Sequence, residues 1–448
     1  MNSDDGGSTR TFFATKEKLL AIFFVWVMQV VFGGVFYSFA QFYSLIKNSF
    51  SNSTYAYIGF IGTALAGFSN FVGPLSAWLV LKYGYLAVVT FSAVVFALGF
   101  IVTSYDNMQW ELFFTYSVVI GLSGGIMNHL SMAFLTDSLS SREELGYGLS
   151  ISNTGTGCGL IMISCIVAYY CNVNDYQTWQ QIFRYLSLLA VVVIAAAALV
   201  VSQSPTDLTQ KYASDQREVE VVMEQRGERE SLIDEGAEKT ADKLKGTELL
   251  FSSDKRAVYL FISNVVGMSF TPVPFKFSII YATADISDVN MYYYAPLALG
   301  LGTIISRFIF NLAASGIFGR VSSFTLHKIL LLGSCFGSLL LAFVDSSSTS
   351  AVLASLFVFS LFNNFLPLLL LRTVDMLGNR NHHSNSGVQF VALGVAYCIG
   401  GFFSGLIYDY APIKYVFIAC AISFVFAIVF DEIVFFEASV VKYAISKK

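Results

Sequence analysis

Apolar residues run in long stretches separated by short polar segments, and the stretch lengths set the first expectation. Twelve of them can each hold a helix of about 20 residues, enough to cross a hydrocarbon core about 30 Å thick. They lie near Leu19–Tyr43, Ile58–Val80, Tyr85–Val102, Leu112–Leu135, Gly146–Tyr170, Ile182–Val201, Val258–Tyr281, Met291–Ile317, Ile329–Val344, Ala351–Leu371, Ser386–Tyr408 and Tyr415–Phe430. No run of about ten residues alternates apolar and polar positions as a barrel strand does. A helix satisfies its own backbone groups in lipid, so the pattern predicts an all-α membrane protein with twelve transmembrane helices.

One polar interval interrupts the rhythm. Ser202–Arg256 holds nine Lys and Arg and thirteen Asp and Glu, with no sustained apolar periodicity. It is predicted to be a cytosolic, mostly disordered linker, 202–256, between two six-helix bundles, 19–201 and 257–436. A cytosolic N-terminus, 1–18, and a cytosolic tail, 437–448, complete the expected organisation. Lys and Arg set the orientation. With both termini on one side, that side gathers most of them, whereas the opposite side offers Lys47, Arg184 and Lys414. The termini are therefore expected in the cytosol. Residues 1–18 lack the short apolar core of a cleaved leader, which leaves the first span as the targeting signal.

Composition agrees and excludes much else. Charged residues make up 12% of the chain, against about 25% in soluble proteins. No basic patch interleaved with aromatics suggests nucleic acid. No GxxxxGK[ST], no HExxH and no paired intramembrane acids suggest an enzyme, and no cofactor or metal site is expected. The six cysteines show neither metal-ligand spacing nor extracellular clustering and read as buried thiols.

Polar residues inside apolar runs are the candidate chemistry. Arg307 lies about 14 Å from the inner end of its span at 1.5 Å per residue. A charge at such depth costs roughly 2.5–3.5 kcal/mol on insertion scales, so it must face a cavity or a partner. Lys276 follows Pro272 and Pro274, which remove backbone donors and kink the helix, marking a gating or binding stretch. Lys276 also lies near the outer end of its span, where its stem could snorkel to the interface. No Asp or Glu falls in the middle of a span, so the missing anion is read as the ligand. His129 is the one intramembrane group suited to carrying a proton, though a lone histidine in a helix more often serves as hydrogen-bonded glue. Asn128, Asn153, Asn363, Asn364 and Gln389 add neutral polar groups that bridge helices or line a cavity. In the linker, Glu228, Leu232 and Ile233 fit an acidic dileucine signal that a clathrin adaptor could read. That signal would place the protein in an endolysosomal or vacuolar membrane, against the default of the plasma membrane. Asn52-Ser53-Thr54 is a glycosylation acceptor in a loop too short to favour use.

Several segments resemble the monocarboxylate-porter branch of the major facilitator superfamily. Gly73-Pro74-Leu75 with Lys82-Tyr83-Gly84 is similar to the family's GPL…(R/K)(F/Y)G loop. Gly73 and Gly84 would there permit close approach and a tight turn, and Lys82 obeys the positive-inside rule. Arg142 through Gly157 resembles the family's R-x-x-A-x-G-x-A-x-x-G-x-x-x-G stretch, and Tyr37 through Tyr43 its K-S-F-G-V-F-F. The resemblance implies two six-helix halves rocking about a midplane site. It also implies that Arg307 pairs with a substrate carboxylate and that Tyr37, Gln41 and Tyr397 face the central cavity. Two positions depart from the pattern: Tyr37 stands where proton-linked members carry lysine, and Thr303 where they carry aspartate. Proton coupling is accordingly expected to be altered or lost.

The expected function is a secondary transporter or facilitator of a small, monocarboxylate-like organic anion. An aromatic amino acid or flavin-like vitamin is the alternative substrate class. A transporter-shaped receptor signalling through the central loop is the alternative of a different kind.

Overall fold

The computed structural model describes residues 16–50, 52–139, 142–173, 179–203, 255–284, 290–315, 321–345, 347–363 and 382–446. Among them every regular element is helical. The amino-terminal half comprises α1 (Lys16–Ser49), α2 (Tyr55–Phe71), α3 (Gly73–Tyr83), α4 (Tyr85–Thr103), α5 (Gln109–Leu112), α6 (Gly121–Ser138), α7 (Arg142–Val173), α8 (Trp179–Leu186) and α9 (Leu189–Gln203). A π-helical segment, Phe113–Ile120, joins α5 to α6. The carboxy-terminal half comprises α10 (Lys255–Ser269), α11 (Val273–Ala284), α12 (Met291–Ser315), α13 (Ser323–Phe343), α14 (Thr349–Phe362), α15 (His382–Tyr410) and α16 (Lys414–Ser446).

Ten helical segments among the described residues are long and apolar enough to cross a membrane. The other two predicted spans have local explanations. The second is divided at Val72 into α2 and α3, with a proline in the first turn of α3. The tenth begins as α14, and the rest of it lies outside the described residues. The seventh predicted span is also broken, between Ser269 and Val273, because Pro272 and Pro274 cannot donate to a continuous ladder. The last helix runs on to Ser446, past the predicted end of its span at Phe430.

Gly84 adopts φ +80, which side-chain-bearing residues rarely occupy, and there the chain turns from α3 into α4. The expected close approach at Gly73 is not found. A Cβ there would meet His129 and Phe390 at ordinary contact distances, 3.7–3.9 Å. The tight approach lies elsewhere: a Cβ on Gly157 of α7 would come within 2.6 Å of the Gly300 carbonyl of α12. Backbone-to-backbone packing of small residues thus clamps the two halves along α7 and α12, while α2 and α15 form a second seam.

Candidate functional site

Arg307 sits on the α12 face that meets α7, and its side chain is buried, 5% exposed. Its Nη1 donates to Thr156 Oγ1 at 2.8 Å. Thr156 passes the hydrogen bond on, donating to Gln29 Oε1 of α1 at 2.8 Å. Gln29 Nε2 in turn donates to Asn128 Oδ1 of α6 at 2.7 Å. A single polar chain therefore runs from the carboxy-terminal half through three helices of the amino-terminal half. The phenols of Tyr37 and Tyr397 lie close enough to the guanidinium to interact with it electrostatically. Two buried donors at this centre have no hydrogen-bond partner among the described residues: Arg307 Nε and Asn153 Nδ2. Asn153 precedes Thr156 by three residues and so shares its face of α7. A buried unpaired donor costs about 1–3 kcal/mol, which favours an acceptor brought by a ligand.

Lys276 corrects one expectation. Its stem does not snorkel outward; the residue is 1% exposed, among the most buried large side chains. Nζ donates to the Phe36 carbonyl of α1 and stands 4.1 Å from the Phe36 ring centroid and 5.0 Å from that of Phe39. The Pro272–Pro274 break sets this placement, because α11 restarts at Val273 and turns Lys276 toward α1. The Thr271 carbonyl beside the break accepts a hydrogen bond from Asn363 Nδ2 at 2.8 Å. Tyr37 packs its ring 4.6 Å from Phe275 and 4.6 Å from Phe36, and Phe36 stacks on Tyr397 at 6.2 Å. Among the described residues neither Lys276 nor Arg307 forms an ion pair with a carboxylate.

The halves also meet nearer the predicted outer surface. Gln41 Nε2 donates to the Tyr292 carbonyl at 2.9 Å, linking α1 to the first turn of α12. Asp409, near the end of α15, accepts the Tyr55 and Ala56 backbone N–H groups at 2.8 and 2.9 Å. Those N–H groups belong to the first turn of α2, where no helical carbonyl is available to them and the positive dipole end favours a carboxylate.

Other predicted residues lie apart from this centre. His129 Nε2 is 3.2 Å from the Ser69 carbonyl, and its ring meets Phe390 edge-on at 4.8 Å. That geometry suits glue between α2, α6 and α15. Lys82 is exposed and sits over the Trp78 and Tyr83 rings at 5.1 and 5.3 Å. Arg142 opens α7, but its side chain lies outside the described residues, as do Glu228, Leu232, Ile233 and Asn364. Of the cysteines, Cys420 is buried and Cys158, Cys165, Cys335 and Cys398 are only partly so.

Sequence reading missed Gln29 and Thr156 as relay residues, because neutral polar side chains in spans are common. It also missed a buried carboxylate. Asp431 is 0% exposed, lies 2.7 Å from His327 Nδ1 and accepts from the Ser263 hydroxyl. The predicted span stopped one residue short of it. Its signal was legible in the pairing of His327-Lys328 with Asp431-Glu432, since Lys328 contacts Glu432 in turn. His129, itself only half-buried, is therefore not the sole intramembrane titratable candidate.

The sequence model described as Major Facilitator Superfamily matches residues 20–363. No curated protein matches the chain in sequence. Among solved structures, a mutant of the nucleoside transporter NupG superposes with a TM-score of 0.65 at 13% identity, covering 94% of this chain and 100% of its own. A POT family transporter in complex with 5-aminolevulinic acid gives 0.65 at 14% identity, covering 94% and 95%. These likenesses concern the fold alone. With the family match spanning most of the sequence and two helical halves joined around a buried cationic centre, the chain belongs to the Major Facilitator Superfamily.

Proposed function

We propose that this protein is a secondary transporter or facilitator of a small organic anion, working by alternating access with Arg307 as the charge-pairing residue. One observation carries the reading: a guanidinium buried between the halves, with no carboxylate partner among the described residues and an unpartnered Nε. A guanidinium can grip a carboxylate with two parallel hydrogen bonds, and this one has Nε without a partner among the described residues. Substrate charge offsets the buried cation and so favours loaded, occluded states over empty ones. The resemblance to monocarboxylate porters supports the same ligand chemistry.

Thr303, one turn before Arg307, spends its hydroxyl on the Leu299 carbonyl at 2.8 Å. No titrating group stands there, so uptake should depend weakly on a proton gradient. The rings of Phe36, Tyr37, Phe275 and Tyr397 support a second reading, an aromatic acid whose ring packs among them. Competition between a labelled monocarboxylate and an aromatic acid in reconstituted vesicles separates the two. The plasma membrane, cytosolic termini and adaptor binding through Glu228, Leu232 and Ile233 belong to this proposal. Imaging after Leu232→Ala and Ile233→Ala tests the address. Deleting 214–243 tests the receptor alternative, since a carrier keeps transporting without its linker.

A further inference from the structure

The two buried cations are not independent features. Arg307 meets α1 at the level of Gly33, because its partner Thr156 packs on Gly33. Lys276 meets α1 at Phe36 and Phe39. The helix rises 1.5 Å per residue, so the cationic groups stand roughly 5–9 Å apart along its axis. Both groups border one aromatic cluster: Tyr37 lies beside the guanidinium and against Phe36, whose carbonyl holds the ammonium, and Tyr397 stacks on Phe36.

The arrangement places two basic side chains within one water-poor cluster. Arg cannot give up its proton in a protein, and Lys is a compact charge with three donors, of which Phe36 takes one. A single carboxylate on Arg307 leaves Lys276 Nζ with no anionic partner among the described residues. A ligand with two carboxylates, both ionised near neutral pH, compensates both. That axial offset is of the order a short, linear dicarboxylate spans, with one end on Arg307 and the other on the ammonium.

We infer that the preferred substrate is a short dicarboxylate, anchored by Arg307 at one end and by Lys276 at the other. The inference rests on the reading of Arg307 as anion anchor and adds a second anchor to it. It also assigns the proline break a purpose, since the restart of α11 at Val273 is what brings the ammonium to α1. The Phe36 and Phe39 rings stand against the Lys276 head group and exclude water from it, which strengthens its hold on an anion.

The test uses the full chain reconstituted in liposomes, with succinate and butyrate as probes of matched backbone length. Succinate should compete with labelled succinate at least about tenfold better than butyrate, the ratio one charge-assisted contact supplies. Lys276→Met, an unbranched apolar replacement suited to the aromatic slot, should remove most of that ratio. Lys276→Arg should restore part of it. Equal competition by the two acids in the wild type overturns the inference without any variant, as does an unchanged ratio in a monodisperse Lys276→Met protein. If butyrate binds through Arg307 and succinate gains nothing, only the second anchor falls. If neither acid binds, both readings fall.

Discussion

Arg307 and Thr156 face each other across the junction of the two halves, with Nη1 2.8 Å from Oγ1. The bond ties a charged side chain of α12 to a neutral hydroxyl of α7, and the hydroxyl is itself tied to Gln29. A carrier that rocks its halves must break or re-aim this bond in each cycle. The neutral partner suits that task, because a bond to a hydroxyl is weaker than an ion pair and yields to an arriving carboxylate.

Gln29 is the middle of the relay, so its loss should be felt at both ends. Gln29→Leu leaves the Thr156 hydroxyl and Asn128 without their partner. The expected cost is about 1–3 kcal/mol, read as a lowered thermal midpoint in detergent. Uptake should persist, because Arg307 is untouched. An unchanged midpoint would show that the chain of hydrogen bonds contributes nothing to stability.

Asp409 offers a latch on the outer ends of α2 and α15, holding two backbone N–H groups at 2.8 and 2.9 Å. Asp409→Asn keeps the shape but removes the charge that complements the helix end. A charge at a helix terminus is worth about 0.3–2 kcal/mol, so outward opening should become several-fold more frequent. Reaction of an impermeant maleimide with a cysteine placed at Tyr292, in a background without other thiols, reads that frequency. Labelling no faster than in the parent would remove the latch.

The C-terminal bundle should depend on Asp431. Leaving the buried His327 ring and Ser263 hydroxyl without their shared acceptor costs about 1–3 kcal/mol for each, so Asp431→Ala should lower folded yield sharply, whereas the exposed Lys328–Glu432 contact should matter little. Size-exclusion profiles of Asp431→Ala and Glu432→Ala compare them directly. Equal yields would place the His327–Asp431 contact among the dispensable ones.

Asp106 lies in the loop between α4 and α5, where burial pushes its carboxyl up to about 6, against the pull of the Thr115 hydroxyl and with a further push from Glu111. The folded state therefore binds a proton that the unfolded state releases until near pH 4. Its contribution to stability should rise as pH falls from about 6 toward 4 and be absent from Asp106→Asn. Thermal midpoints of the two proteins across that window check the sign; parallel curves would contradict it.

How much of this was legible beforehand varies with the physics. The spans follow from the length of apolar runs, because the bilayer demands it, and so the helical class and the family layout were readable. The burial of Arg307 was readable from depth. Lys276 was not, since a lysine near a span end can snorkel or turn inward, and the outcome depends on where α11 restarts after the proline break. Asp431 escaped because hydropathy ends a span where polarity begins, while packing against α13 and α10 carries burial further. Thr156 and Gln29 escaped because pairing across helices leaves no periodic trace.

The most direct test of the central claim is uptake of labelled organic acid by liposomes holding wild type, Arg307→Ala or Arg307→Lys at matched, monodisperse incorporation. Anion anchoring predicts that Arg307→Ala abolishes uptake and that Arg307→Lys retains a small fraction, since an ammonium lacks the bidentate fork. Undiminished uptake by folded Arg307→Ala would contradict it.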